Sequence, residues 1–233
     1  MDLTHYGHAC VLAELPVGER TVRLLFDPGT YSADFDSLLG IDVVLITHAH
    51  PDHLDGERLG RLLANNPEAE VVLGAHCQAT LGDQGGIAQD RMRVVGPGDK
   101  VRLRGVDVEV VGGEHACIHS ELPIVPNNGY LINGGSLLHP GDALDEVSAP
   151  VDVLLLPIGG PWMKIGEGVD YLRAVAPRLA VPIHQAGLAP IHQNMHCSLL
   201  RDLAPAETEL LLLEHGVSQP LPTSSPQSKE DSP

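Results

Sequence analysis

The sequence lacks the features that would place it outside a reducing cytoplasm. Its opening residues, Met1-Asp2-Leu3-Thr4-His5-Tyr6, have neither a basic stretch nor an apolar one, so no secretory leader is expected. No apolar run is long enough to span a bilayer, and no membrane partner is expected. The four cysteines, Cys10, Cys77, Cys117 and Cys197, are scattered and form no C-x-x-C pair. That argues against a disulfide framework and against a cysteine-rich zinc site, and makes the cytoplasm the expected home. Cations are scarce: 14 Lys and Arg stand against 31 Asp and Glu, a formal net charge of -17. With no basic run, a nucleic-acid partner is not expected. No internal repeat is visible.

What is present is enough for one sizeable core: 233 residues, 43% of them hydrophobic. The chemistry concentrates in one stretch. Asp42-Val43-Val44-Leu45-Ile46 reads as a short buried strand. It runs into Thr47-His48-Ala49-His50-Pro51-Asp52-His53, an H-x-H-x-D-H pattern. Side chains alternate along an extended segment, so His48 and His50 can point the same way. Asp52 and His53 fall where the chain turns toward a helix and can face a second ion. Imidazole with carboxylate suits zinc, manganese or iron.

Around this stretch, residues 2–15 and Thr21–Phe26 predict an opening antiparallel hairpin, closed by the turn Asp27-Pro28-Gly29. Leu54, Leu59, Leu62 and Leu63 have helical spacing that ends near Asn65-Asn66-Pro67. Val71–Leu73, Met92–Val95, Val101–Leu103 and Val106–Val111 read as strands, with a short helix and loop over 74–90. Residues 112–129 read as a long loop. Tyr130–Ile132 and Ser136–Leu138 flank the hairpin turn Asn133-Gly134-Gly135. Val151–Leu156 and Val181–His184 read as strands, Glu167–Val175 and Met195–Leu203 as helices, and Glu209–Leu213 as the last strand. Strands dominate the first half and strand–helix alternation returns near the end. The expected fold is α/β: two mixed sheets packed face to face with helices outside, an αββα sandwich. The domain is expected over 1–217, with a disordered, Pro- and Ser-rich tail over 218–233.

Three later residues follow apolar runs and can complete a metal site. His115 comes after Val110-Val111-Gly112-Gly113-Glu114, Asp142 closes His139-Pro140-Gly141-Asp142, and His184 closes Val181-Pro182-Ile183-His184. With the H-x-H-x-D-H stretch they resemble the metallo-β-lactamase superfamily. The stretches Tyr6-Gly7-His8, Phe26-Asp27-Pro28, Asn127–Tyr130, Pro157–Met163 and Pro182-Ile183-His184 resemble its L-ascorbate-6-phosphate lactonase-like branch of metal-dependent hydrolases. The resemblance implies two divalent metal ions per chain, zinc first and manganese or iron as alternatives. His48, His50 and His115 would hold one, Asp52, His53 and His184 the other, with Asp142 between them. It also places Asp52 and His8 as candidate catalytic residues, His8 binding substrate or donating a proton, or else only packing. Asp27 and Thr47 are candidates to orient a ligand through its second ring nitrogen, and Lys164 to meet a substrate anion. His139, His192 and His196 are weaker pocket candidates.

The implied activity is hydrolysis of a lactone, ester or phosphate ester of a small molecule by water activated between the two ions. A di-iron redox protein and a nuclease are the rival readings within the superfamily. The acidic charge weighs against a nuclease, and the redox relatives carry a flavin-binding partner domain for which this chain has no length. A homo-oligomer is left open.

Overall fold

Three clusters of buried side chains divide the chain into four layers. The computed structural model describes residues 1–84 and 87–221. One sheet contains β1 (Asp2–His5), β2 (Val11–Val17), β3 (Arg20–Phe26), β4 (Val43–Leu45), β5 (Glu70–Leu73) and β6 (Met92–Val94). The other contains β7 (Lys100–Leu103), β8 (Val106–Glu114), β9 (Pro126–Ile132), β10 (Leu137–His139), β11 (Val153–Pro157), β12 (Leu179–Ile183) and β13 (Glu209–Leu210). A last strand, β14 (Gln219–Pro220), returns to the first sheet. Among the described residues the strand orders are β14-β1-β2-β3-β4-β5-β6 and β13-β12-β11-β10-β9-β8-β7. Each sheet is mixed: β1 to β3 and β7 to β10 are antiparallel, β3 to β6 and β10 to β13 parallel.

Period-two alternation sorts the side chains between layers. Leu24, Phe26, Val43 and Leu45 face Val153, Leu155, Val181 and Ile183 across the inter-sheet core. Their neighbours Leu25, Val44 and Ile46 point outward onto Leu59, Leu62 and Leu63 of α1 (Gly56–Asn65). On the far side, Leu154, Leu156 and Ala180 meet Val169 and Leu172 of α3 (Ile165–Val175). α2 (Ala75–Gln84) covers the first sheet through Cys77 and Leu81, and α4 (Pro190–Leu203) the second through Leu200. Strands buried on both faces explain why the central runs are continuously apolar. This is the expected αββα sandwich. No helix among the described residues is long and apolar enough to cross a membrane.

Several boundaries differ from the sequence reading, among them the last strand expected over Glu209–Leu213, which spans Glu209–Leu210. The loop expected over 112–129 is strand at both ends: β8 continues through Gly112 and Gly113, which pair with Asn128 and Asn127 of β9. Gly112 has φ +74, and a side chain there would crowd Asp145, so glycine continues the ladder where its composition looked like a break. The final helix begins at Pro190, because proline at the first turn is compatible with a helix start. The chain after Val217 does not leave the domain at once. Gln219 and Pro220 pair with Leu3 and Asp2, and Leu221 donates its N–H to Met1 O at 3.1 Å while packing on the inter-sheet core. Main-chain pairing along an edge needs no apolar run, so composition did not reveal it. Residues 222–233, the rest of the expected tail, lie outside the described residues.

At the end of β10, His139 is fully buried and stacked on Phe26 with ring centroids 5.3 Å apart. Its Nε2–H donates to Ala9 O at 3.0 Å, and its Nδ1 accepts the Gly141 N–H at 3.1 Å. Both bonds need the neutral ring, and burial lowers its pKa despite the pull of Asp27.

Two outcomes follow from these placements. A chain ended after Val217 should melt about 2–4 °C below one ended after Leu221, the shift expected for roughly 1 kcal/mol of lost edge pairing and packing. Equal melting temperatures would show that β14 contributes nothing. For His139 the folded pKa is depressed, so the unfolded chain binds the extra proton. Its contribution is therefore present above the unfolded value of about 6.5 and lost as pH falls through the folded one. His139→Gln should flatten the fall of unfolding free energy below neutrality, by at most about 1.4 kcal/mol per pH unit. An unchanged slope would mean that the ring stays neutral in both states.

Candidate metal centre

Asp27 sets the frame. It follows β3, is fully buried, and sits at φ 41. Its carboxylate accepts Thr47 N–H at 2.8 Å and the Thr47 hydroxyl at 2.7 Å, which fixes the exit of the chain from β4. The same carboxylate accepts His53 Nδ1–H at 2.7 Å. Two residues on, Gly29 packs so tightly on the 52–53 turn that a Cβ there would lie 1.8 Å from Asp52 O. The β3 loop and the His-rich turn can approach this closely only with glycine at 29.

The imidazoles are then oriented one by one. His53, His115 and His184 each donate Nδ1–H to a fixed acceptor: Asp27 Oδ2, Ala116 O at 2.6 Å, and Gly159 O respectively. The Thr47 hydroxyl gives its proton to Asp27 and so accepts His48 Nδ1–H at 3.0 Å. Four rings thereby have Nδ1–H engaged and turn Nε2 inward. His50 instead presents Nδ1, 3.0 Å from His48 Nε2.

These nitrogens converge on Asp142. His184 Nε2 lies 3.0 Å and His115 Nε2 3.3 Å from Asp142 Oδ2, and His53 Nε2 lies 3.1 Å from Oδ1. Despite those distances, the three Nε2 atoms and Asp142 Oδ1 are buried without an aligned hydrogen bond. Ligand atoms aimed at shared centres, and not at one another, have this geometry. Ligating atoms of His48, His50, His115 and Asp142 lie within 4.8 Å of one another, as do those of His8, Asp52, His53 and His184. The neutral nitrogens and carboxylates fit divalent cations. The structure brings the seven expected ligands together, Asp142 with His48, His50 and His115, and Asp52 with His53, His184 and also His8; Asp142 oxygens lie 3.1 Å from His53 Nε2 and 3.0 Å from His184 Nε2 as well.

His8 is built differently from the others. It has φ 51, its ring lies 3.9 Å from that of His184, and its Nδ1 accepts the Ala186 N–H at 3.4 Å. The proton is then on Nε2, which donates to Asp52 Oδ2 at 3.1 Å. Burial lowers the His8 pKa, opposed by the Asp52 bond. Burial works against ionised Asp52, but the His8 bond and the neighbouring His53 outweigh it and bring its pKa down to about 2. Burial also pushes His48 well down. At Asp142 burial is outweighed by His53 and by His115 and His184, so the carboxyl stays well below the usual range. At His53 burial is outweighed by Asp142 and Asp27, which raise it well above. A pair of carboxylates that draws a proton this strongly would draw a divalent cation to Nε2 in its place.

Two residues here were not foreseen. Trp162, the chain's single tryptophan, donates Nε1–H to Asp142 Oδ2 at 2.8 Å. Asn127 accepts the Asp142 N–H at 3.1 Å and donates to Pro140 O at 2.8 Å. Both lie in stretches that carried the family resemblance, but only the tertiary contact reveals the role. Lys164 is placed elsewhere: it is exposed at the start of α3, with its N–H bonded to Glu167. His192 is exposed on α4, and His196 donates to Ile158 O at 2.7 Å; neither joins a cluster.

Residues 2–184 match the Beta-lactamase superfamily domain. Over 222 residues, 94% of this chain and 100% of the other, the sequence is 45% identical to Protein Rv0786c of Mycobacterium tuberculosis. It is 32% identical over 203 residues to a UPF0173 metal-dependent hydrolase of Opitutus terrae, covering 79% of this chain and 84% of that one. The fold superposes on Igni18, described as a novel metallo hydrolase from Ignicoccus hospitalis, with a TM-score of 0.68 at 21% identity, covering 95% and 99% of the two chains. By this match, and by the two His/Asp groups at the strand ends, the chain belongs to the metallo-β-lactamase superfamily and is a metal-dependent hydrolase within it.

Proposed function

We propose that this hydrolase holds two divalent metal ions, zinc first, and cleaves a lactone, ester or phosphate ester of a small molecule. The observation that carries the reading is the ring of bare, buried Nε2 atoms around Asp142. His48, His50 and His115 would hold one ion, Asp52, His53 and His184 the other, and Asp142 both. When bound there, such ions supply Lewis acidity and lower the pKa of water toward neutrality. The remaining work belongs to the protein. Thr47, Ala116, Gly159 and Asp27 hold four imidazoles in the ligating tautomer, and Trp162 and Asn127 hold Asp142 in position. His8 fixes the Asp52 carboxylate through Nε2–H and borders the open cleft beside it. A neutral ring in this arrangement orients and donates a hydrogen bond; it does not store a proton for release. The four free cysteines support a reducing compartment.

The test is metal analysis of the purified protein, followed by a hydrolase screen over lactones, esters and phosphate esters with zinc and manganese supplied separately. Metal content near zero after loading, or no turnover in any class, would sink the reading. Asp142→Asn keeps the shape but removes the shared charge, and metal content should fall well below that of wild type. Full retention of both ions would refute the shared role. His8→Ala should keep its metal and lose about 10–100-fold in turnover, the usual effect of removing a group that orients a ligand. His8→Asn, which keeps an N–H donor, should recover part of that loss. If His8→Ala sheds metal as His184→Ala does, His8 is a ligand; if it loses only the alkaline limb of the pH–rate profile, His8 is a proton donor.

A further inference from the structure

Among the described residues, the clefts flanking the metal centre have no Lys or Arg of their own. Beside His8, Asp52 and His184 opens a cleft of about 390 Å³. Its far wall is Tyr31, Pro161 and Leu188, and its floor is the backbone of Gly159 and Gly160. That floor cannot carry side chains: a Cβ at 159 would lie 2.7 Å from Leu188 Cδ1, and one at 160 would lie 2.7 Å from Trp162 Nε1. The cleft is therefore kept open by the same packing that seats Trp162 on Asp142. On the opposite side, beyond His50 and His115, a narrower cleft is walled by the 116–125 loop, with Ile118, Leu122 and Ile124 exposed. Among the described residues, no Lys or Arg lines either cleft. Arg58 is engaged by Ser32 O at 2.7 Å and by Asp36 at 2.8 Å, and Lys164 lines neither opening.

A phosphorylated substrate carries charge beyond the scissile group, and a site that binds one needs a guanidinium, an ammonium or a nest of N–H groups to meet it. Away from the ligands themselves, the cleft walls offer apolar carbon and the Tyr31 hydroxyl, with Asp52 at one side, within a chain of net charge -17. We propose that the substrate is a carboxylic ester or lactone with a hydrocarbon substituent seated between Tyr31 and Leu188, and that a substituent bearing a phosphate is rejected. This rests on the hydrolase reading above and narrows it. The balance is that of hydrolysis: the acyl C–O bond breaks, water adds its oxygen to the acyl carbon, and the alcohol leaves with a proton.

The test uses metal-loaded, full-length protein and p-nitrophenyl butyrate, hexanoate, octanoate and decanoate beside p-nitrophenyl 6-(phosphonooxy)hexanoate, whose phosphate lies away from the reacting carbonyl. Each added methylene should raise kcat/KM about threefold to fourfold until the cleft is full. The phosphate-bearing ester should be slower than the hexanoate by on the order of a hundredfold, the cost of an uncompensated charge. Tyr31→Ala, at a side chain 59% exposed, should fold, keep its metal and flatten the chain-length series. Leu188→Ala should do the same from the other wall. A second readout does not depend on turnover: calorimetric binding of methyl heptyl ketone should exceed that of methyl propyl ketone. If no substrate is cleaved but the longer ketone binds and Tyr31→Ala abolishes that preference, the hydrolase reading fails and the cleft assignment stands. Preference for the phosphate-bearing ester, or a flat series in wild type with no difference between ketones, overturns the assignment.

Discussion

Everything at the active end of this molecule depends on one buried carboxylate, that of Asp27. It has no exposed surface and is satisfied by the Thr47 amide, the Thr47 hydroxyl and the His53 ring. Leaving such a group unpaired would cost several kcal/mol, so the three donors are locked to it as firmly as it is to them. The lock joins the end of β3 to the end of β4. Through Thr47 it reaches His48, and through His53 it reaches Asp142. A single acceptor thus sets the tautomer of two imidazoles in different groups.

The sandwich supplies the rest by geometry. β4, β8, β10 and β12 come from both sheets, and each ends where a functional residue begins. Rigid strands buried on both faces place their termini more reproducibly than loops could. The ligands come from stretches of chain far apart in sequence, so no local segment could assemble the centre. α4 buries Leu200, ties the 185–188 turn through Gln193, whose amide donates to Gln185 O at 3.1 Å and Leu188 O at 2.9 Å, and leaves Ile191 and Met195 exposed.

Much of this was legible from residues alone, and for physical reasons. His48 to His53 follow a continuous apolar run, and His115, Asp142 and His184 each follow another; a polar residue at the end of a buried strand has few places to go. The layer order followed from where such runs fall. What stayed hidden depends on partners distant in sequence. Nothing local marks Trp162 as the donor to Asp142, or Asn127 as the clamp on its amide. Gly112 and Gly113 read as a break because a glycine pair commonly ends a strand, and here they continue it opposite Asn127 and Asn128. The return of β14 is written in main-chain pairing, to which composition is blind. Lys164 looked available to an anion only because sequence proximity to Trp162 says little about direction.

Three of the functional positions share a backbone oddity. His8, Asp27 and His184 all have positive φ, at 51, 41 and 62, a region that side chains with a Cβ occupy at a cost of order 1–3 kcal/mol each. Their conformations persist because the surrounding bonds over-determine them, not because the residues favour them. Glycine or asparagine would be more comfortable at each place, so selection for thermal endurance alone would pull these positions away from function. A lineage relieved of its substrate would accordingly be expected to erode here first, gaining stability as it lost chemistry.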